Sequence, residues 1–551
     1  MAVKRQIASE HLPEMIGIFE LGVLTFAPLS AIRTPMGAPD LDEDLALIQF
    51  MAAPSTHGDQ AVEQIVTHAS RIFLAGDRAY KLKRPVSFPF MDFSTLEKRE
   101  AAVRHELTLN RRTAPNLYLG AAAVRRGPDG LFIDESGTPA GDVIDWLVVM
   151  RRFEQDALLS AYADRKELDD GHVDALRDAI VSFHAESSQL QLDWPAAMKW
   201  VVEDNVDELE AYIDVFDDRD MLRHANEVMP QILNDEHTLL GSRVRAGRIR
   251  PCHGDLHLGN VAFLEGRATL FDALEFNPAL ANIDTLYDSA FMLMDLMARS
   301  YATQSFRLFN GLLDRNKDES GLALLPLYLA TRAIVRAKVS AALAQREDDT
   351  TARTVANRYL SIARSCLLQE PPRILAIGGL SGTGKSTVAR QIGPELGARP
   401  GARWLRSDVL RKLQHGVGEL DRLPNSAYGP GTSAPVYDEM LSRARTAVDG
   451  GYSVVFDAVF ASAKERDRVE GLAEELGVDF HGFWLEAPVD LRRKRVAGRS
   501  GDASDADGRV VELQENADIG QVRWTSVKAG DDAADTIRGL LSQAVGPDDR
   551  S

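Results

Sequence analysis

Gly379–Leu380–Ser381–Gly382–Thr383–Gly384–Lys385–Ser386–Thr387 is the stretch from which the fold of this chain is read. It follows the apolar run Ile374–Leu375–Ala376–Ile377 and precedes a helical pattern starting near Val388, so a G-x-x-x-x-G-K-S loop passes from strand to helix. Its glycines let the backbone curl with N–H groups turned inward as an anion nest, and the helix N-terminus adds the positive end of its dipole. Lys385 then reaches the β- and γ-phosphates of a nucleoside triphosphate, and the Ser386 hydroxyl holds Mg²⁺. A plain glycine turn needs none of these agreements. The expected ligands are ATP and Mg²⁺, with Gly379, Ser381, Gly382, Thr383, Gly384, Lys385, Ser386 and Thr387 forming the cradle.

Working outward, strands alternate with helices over residues 373–543, which predicts a doubly wound parallel sheet. Trp404–Leu405–Arg406–Ser407–Asp408 is a strand end that delivers a carboxylate, with Arg411 one helical turn later. Tyr452–Ser453–Val454–Val455–Phe456–Asp457 is an apolar strand ending in Asp457, placed to support Mg²⁺ through Ser386 or water. Beyond the strand Asp479–Leu485, Arg492, Arg495 and Arg499 share one helical face, while Asp502–Asp507 is locally acidic and small. The D-x-x-R of Asp408 and Arg411 resembles the substrate site of small P-loop kinases, namely polynucleotide 5′-kinases, zeta toxins and chloramphenicol phosphotransferases. By that resemblance Asp408 accepts the acceptor hydroxyl proton and Arg411 steadies substrate or phosphate. Arg495 and Arg499 match the lid arginines that stabilise the transferring phosphoryl group.

The chain has 551 residues, too many for one core, of which 45% are hydrophobic and 26% charged. A formal net charge of −19 argues against a long nucleic-acid partner. Two cysteines, Cys252 and Cys366, exclude a disulfide framework and suit a reducing, cytoplasmic setting. Met15–Ile32 is apolar but is interrupted by Glu20 and Pro28 and lacks a purely basic flank, so neither a signal peptide nor a membrane span is expected.

A second centre lies upstream. Leu45–Ala53 and Val62–His68 read as helical or mixed and lead into Ser70–Leu74 and Arg78–Lys83, two strands joined by Ala75–Gly76–Asp77. In Ala79–Tyr80–Lys81 the small residue and the lysine share a strand face, where an ammonium can meet phosphates. Lys83 lies on the same face, so spacing alone does not separate the two; Lys81 is favoured. Ser94–Thr95–Leu96–Glu97 fits a capping box opening a helix towards Arg112, on which Glu106, with Glu100 as the alternative, is the carboxylate chosen to pair with the strand lysine. Strand-like runs at Leu119–Val124, Gly130–Asp134 and Trp146–Met150 complete a small lobe.

From Leu158 to Gln369 the patterns are mostly helical. Glu203, Asp207, Glu210 and Asp214 form an acidic stripe, read either as a solvated face or as a dock for a cationic acceptor. Cys252–His253–Gly254–Asp255–Leu256–His257–Leu258–Gly259–Asn260, with Asp272 after the strand Ala268–Phe271, fits H-x-D-x-x-x-x-N plus a downstream aspartate. Phosphoryl transfer asks for these types: one carboxylate takes the hydroxyl proton, while an asparagine and a second carboxylate hold Mg²⁺. At these residues the region 62–363 resembles the aminoglycoside phosphotransferase family, a branch of the protein-kinase-like fold. The resemblance implies Asp255 as catalytic base, Asn260 and Asp272 as metal ligands, Lys81 as the phosphate-binding lysine and His253 as the residue orienting the loop. It leaves open whether Glu275 also touches metal. Asp284 and Asp288 read as structural caps.

Glu370–Pro371–Pro372–Arg373 closes this part, because Pro-Pro cannot continue a helix. The expected organisation is an unassigned extension (1–43), a kinase-like N-lobe (44–150), a helical C-lobe (151–369) and a P-loop domain (370–551). The fold class is therefore a two-lobed α+β protein-kinase-like fold followed by an α/β P-loop sheet. The whole resembles bacterial fusions of these two modules, which implies ATP-dependent phosphorylation of small-molecule hydroxyl acceptors at both. Two other readings keep the same motifs: a nucleotide-binding regulator with one inactive module, for which the missing glycine-rich loop before Lys81 speaks, and a C-terminal nucleotide-sugar or polynucleotide kinase.

Overall fold

The computed structural model describes residues 41–544 except 68, 89–90, 138–140, 348, 369, 429–430 and 499–502. The extension 1–43, with Met15–Ile32, thus lies almost wholly outside the described residues, and so does Arg499. The chain forms two compact units: Met1–Arg299 with Leu327–Arg364, and Ser300–Pro326 with Ser365–Ser551.

The first unit begins with an antiparallel sheet whose six strands run in the order Val62–Val66, Ser70–Ala75, Arg78–Lys83, Asp142–Arg151, Tyr118–Gly127, Gly130–Asp134. Val62–Val66, read as helical or mixed from sequence, is the edge strand paired with Ser70–Ala75. Its β-branched Val62, Ile65 and Val66 favour that extended pairing. Ala75 pairs with Arg78 across Gly76–Asp77, and Gly76 takes φ +57°, as a two-residue hairpin turn requires.

Side chains alternate across this sheet. Phe73, Ala75, Tyr80, Leu82, Leu147 and Val149 fill a core on one face. Lys81 and Lys83 therefore point to the other face, where the helix Leu96–Asn110 packs Val103 and Leu107 against Val148. That helix is capped one residue later than the sequence suggests. Thr95 accepts the Lys98 N–H, because Ser94 is drawn back to Asp92 through both its N–H and its hydroxyl.

Below the sheet, the short strand Ile249–Pro251 pairs with Asn282–Asp284, and the ladder Val261–Leu264 with Arg267–Leu270 frames the 252–260 loop. The helix Thr285–Ala298 runs through the core of this part, with nearly every side chain buried. No described helix is long and apolar enough to cross a membrane.

The second unit is built on five parallel strands in the order Arg403–Arg406, Val454–Asp457, Arg373–Gly378, Asp479–Glu486, Thr525–Lys528. Leu375, Ile377, Val455, Phe483 and Leu485 form its core with Val388 and Ile392 of the helix after the P-loop. Residues 300–326, which the sequence division assigns to the helical C-lobe, belong here. Phe306 on the helix Ala302–Asn316 enters that core and stacks on Trp404, ring centroids 5.8 Å apart.

Polar contacts fix the same segment. Arg403, 0% exposed, pairs with Asp314 and with Glu319 at 3.0 Å, and donates to Asn310 Oδ1 at 3.0 Å. Arg443 joins from the other side, donating to Glu319 at 3.3 Å. Two buried arginines thus face two carboxylates, with Glu439 at the edge of the cluster 2.8 Å from Arg443.

Candidate active sites

In the first unit, two glutamates and an aspartate alternate with the two strand lysines. Glu106, fully buried, meets Lys81 at 2.8 Å through one oxygen and Lys83 at 2.5 Å through the other. Lys81 continues to Asp272 at 2.5 Å, and Lys83 to Glu275. Lys81 is the lysine beside Asp272, Lys83 is the one that engages Glu275, and Glu106 meets both. Glu100 pairs instead with Arg104 on the helix surface.

Burial by itself would push the Lys81 ammonium towards neutrality, but the charges of Asp272, Glu106 and Glu275 outweigh it and hold its pKa well above the ordinary value. Asp272 is the mirror case. Desolvation opposes its ionisation, and Lys81 overcomes this to keep the carboxyl below its usual range. Burial raises Glu275, with Lys83 pulling the other way.

Asp272 has φ +59°, a left-handed conformation that costs a non-glycine residue about 1–2 kcal/mol. Neighbouring hydrogen bonds impose it. Its N–H donates to Tyr118 Oη at 3.1 Å, the next N–H donates to Asn110 Oδ1 at 2.8 Å, and His105 Nδ1 lies 2.7 Å from the Glu275 carbonyl. The helix carrying Glu106 therefore also sets the backbone that carries Asp272.

The 252–260 loop brings Asp255, His253 and Asn260 together. Asn260 Nδ2 donates to Asp255 Oδ2 at 3.0 Å and to its carbonyl at 2.9 Å. His257 Nδ1 accepts the Gly259 N–H at 3.0 Å, so its proton sits on Nε2, which faces Asp255 Oδ2 at 3.5 Å. Desolvation works against the Asp255 carboxylate; its interactions with the neighbouring His257, His253 and Arg336 outweigh this and leave its pKa below the ordinary value. His253 places Nε2 2.9 Å from the Phe271 carbonyl, tying this loop to the residue just before Asp272.

Asp288, expected as a helix cap, is not one: the cap of Thr285–Ala298 is Asp284, and Asp288 serves the 252–260 loop. Its carboxylate accepts the backbone N–H groups of His253 at 3.2 Å and Gly254 at 2.9 Å, and lies 2.9 Å from His184 Nε2. Arg332 holds the Gly254 carbonyl at 3.2 Å. Asp284 is the cap expected, accepting the Leu286 N–H at 2.8 Å while pairing with Arg243. Asp288→Asn is expected to destabilise the first unit by about 1–3 kcal/mol, since one amide cannot accept what a carboxylate accepts here. Chemical denaturation of the full chain checks this; an unchanged midpoint would show that the loop keeps its shape without Asp288.

The acidic stripe has its own neighbours: Glu203 lies 3.7 Å from Lys199, Glu210 accepts from Asn226 and Asp214 pairs with Arg219 at 2.9 Å.

In the second unit the P-loop turns on glycines. Gly382 has φ +86°, and a Cβ there would stand 2.7 Å from the Arg492 carbonyl oxygen. Ser386 lies beside Asp457, whose pKa is raised by burial and only partly restored by Lys385, Arg406 and Ser386. Lys385 Nζ donates to the Leu380 carbonyl at 3.3 Å. Asp408, half-buried in the first turn of the helix Ser407–Gln414, is close enough to Asp457 to oppose its ionisation.

Arg411 does not point at the P-loop. It is buried and donates to the carbonyls of Ala427 at 3.0 Å and Thr432 at 3.2 Å, with its guanidinium 5.1 Å from the Tyr428 ring centre. Arg495 reaches the loop, donating to the Thr383 carbonyl at 3.2 Å. So does Arg492, which is buried and donates to the Ser381 carbonyl at 3.0 Å and to Glu515 at 2.7 Å. Sequence reasoning puts Arg492 on that face without favouring it. Gln514 carries no sequence signal at all, yet it grips Ser381 twice, accepting its N–H at 2.7 Å and donating to its hydroxyl at 3.0 Å.

The chain thus joins a protein-kinase-like unit to a P-loop unit. Residues 374–517 match a family described as an AAA domain. The uncharacterized protein Rv2004c of Mycobacterium tuberculosis is 31% identical over 455 residues, covering 81% of this chain and 88% of its own. The cytidylate kinase of Methanopyrus kandleri is 30% identical over 149 residues, 26% of this chain and 71% of its own. Among solved structures, a choline/ethanolamine kinase family protein from Mesorhizobium loti is 14% identical and covers 59% of this chain and 94% of its own, with a TM-score of 0.34.

Proposed function

The chain belongs to the family of the Mycobacterium tuberculosis protein Rv2004c, and from that premise we propose that it is a bifunctional ATP-dependent phosphotransferase, each unit moving the γ-phosphoryl group of ATP to a hydroxyl of a small-molecule acceptor. One observation carries the reading. In each unit a lysine, a pair of oxygen donors and a separate carboxylate converge: Lys81, Asn260 with Asp272, and Asp255 in the first; Lys385, Ser386 with Asp457, and Asp408 in the second.

The donor sets are hard oxygens, the chemistry that suits Mg²⁺. When bound, Mg²⁺ neutralises charge on the triphosphate. The protein's own work is positioning and proton transfer. Glu106 holds Lys81 towards the phosphates; Asp255, kept ionised and oriented by Asn260, takes the proton of the attacking hydroxyl. In the second unit the P-loop N–H groups and Lys385 cradle the triphosphate, Asp408 takes the acceptor proton, and Arg495, with Arg499 outside the described residues, steadies the phosphoryl group in flight. Buried, unpaired Cys252 and Cys366 fit a reducing cytoplasm.

The regulatory reading has one observation of its own. The connection between Val62–Val66 and Ser70–Ala75, where protein kinases place a glycine-rich cover over the phosphates, is three residues long and holds no glycine. A metabolite screen monitored by mass shift decides between the readings, and it also tells a nucleotide-sugar or polynucleotide acceptor from other small molecules. Lys385→Ala is expected to remove one of two ATP-binding events in calorimetry and one phosphorylated product from the screen. If both products persist in Lys385→Ala, the second unit is not an enzyme.

A further inference from the structure

The short stretch from Asp505 to Glu515 touches the nucleotide side of the second unit with one end and the acceptor side with the other. At its start, Asp505 accepts the Leu423 N–H at 2.9 Å and the Tyr428 hydroxyl at 2.7 Å, and lies 3.1 Å from Lys412 Nζ. Lys412 is fully buried, also donates to the Glu419 carbonyl at 2.9 Å, and sits one turn beyond Asp408 on the same helix. The Arg411 guanidinium lies against the Tyr428 ring. Asp505 therefore fastens the loop between Glu419 and Tyr428 to the helix that carries the proposed base.

Asp507 then caps the helix Gly508–Glu515, accepting the N–H groups of Arg509 and Val510, and Val511 anchors that helix in the interior. Eight helical residues span about 12 Å. At the far end, Gln514 engages both the N–H and the hydroxyl of Ser381, and Glu515 pairs with Arg492, whose other nitrogen holds the Ser381 carbonyl. Every polar backbone group of Ser381 is thus held from this helix or through its partner.

We propose that Asp505–Glu515 is a coupling strap, in which Gln514 reads the terminal phosphate of a triphosphate at Ser381 and Asp505 transmits the change to the acceptor loop 419–428. The proposal rests on the reading of Gly379–Thr387 as a triphosphate site. A P-loop presents its N–H groups to the phosphates; in this scheme the γ-phosphate, the group a diphosphate lacks, takes the Ser381 N–H that Gln514 now accepts. Because a capped, anchored helix moves as one body, a displacement at Gln514 is felt at Asp505 and in the loop whose Tyr428 lies near enough to Asp408 to feel its charge. Gln514 and Asp505 are positioning residues in this scheme, since neither has to touch the reacting atoms.

Hydrogen exchange read by mass spectrometry on the full chain, with MgADP or Mg²⁺ and the non-hydrolysable triphosphate AMPPNP, separates the possibilities. Peptides covering 419–428 are expected to exchange at least about fivefold more slowly with AMPPNP than with ADP, the lower range of measured couplings between sites. Gln514→Ala should erase that difference. Asp505→Asn should keep AMPPNP protection of 379–387 while losing it in the acceptor loop. Protection of 379–387 with equal exchange of 419–428 under both nucleotides overturns the strap and leaves the nucleotide site standing. Absence of protection at 379–387 with either nucleotide overturns the triphosphate reading itself, and the strap with it.

Discussion

Replacing Asp255 with asparagine is expected to cut one phosphorylated product by about 10²–10⁴-fold, the usual worth of a general base, while the other product forms at its original rate. The substitution keeps shape and size and removes the ability to take a proton. It also acts in a well-defined setting: Asn260 fixes one carboxylate oxygen at 3.0 Å, and the His257 Nε2 proton faces the same oxygen. The measurement is transfer from ATP to the pooled acceptors found by mass shift, with the thermal midpoint followed in parallel. Loss of product with an unchanged midpoint assigns the loss to chemistry. Full product formation by Asp255→Asn would remove this residue from the reaction and return the first unit to a nucleotide-binding role.

The largest effect on stability is expected at Arg403. Removing one arginine from this cluster leaves Asp314 and Glu319 with Arg443 alone, and breaking a buried ion pair in this way typically costs about 3–5 kcal/mol. For a unit of this size, Arg403→Leu should lower the unfolding midpoint by on the order of 10 °C. The triple substitution Arg403→Leu, Asp314→Leu, Glu319→Leu should recover much of that loss, because the cost lies in the orphaned charges more than in the lost attraction. Calorimetry of the three proteins checks it; a single-variant midpoint equal to the parent's would mean that solvent reaches the carboxylates.

Most of the architecture was readable because it rests on local rules. Hairpin chemistry at Gly76–Asp77, alternation along Arg78–Lys83 and the strand–loop–helix grammar around Lys385 are all properties of neighbouring residues. The parallel sheet followed from strands alternating with helices. What escaped was long-range. Asp288 looks like any helix-start aspartate until folding brings it under the backbone of His253 and Gly254. Gln514 lies more than a hundred residues from Ser381, with no motif to connect them. Arg411 has the spacing of a substrate arginine, but its helix turns it towards Ala427 and Thr432. The 370 boundary marks where a helix must stop, since prolines report backbone geometry; it says nothing of which earlier segment packs against the sheet that follows.

That earlier segment has a consequence for how the protein is made. Synthesis delivers Phe306, Asp314 and Glu319 well before Arg403 and the strand that carries it, with Leu327–Arg364 of the first unit emerging in between. The nascent chain therefore carries an exposed aromatic ring and two unpaired carboxylates while the first unit is being completed, the kind of interval in which unfinished domains associate wrongly. The carboxylates that later cost so much to orphan are charged and hydrated during that wait, so the same residues that lock the finished unit also keep its first segment in solution until the rest arrives.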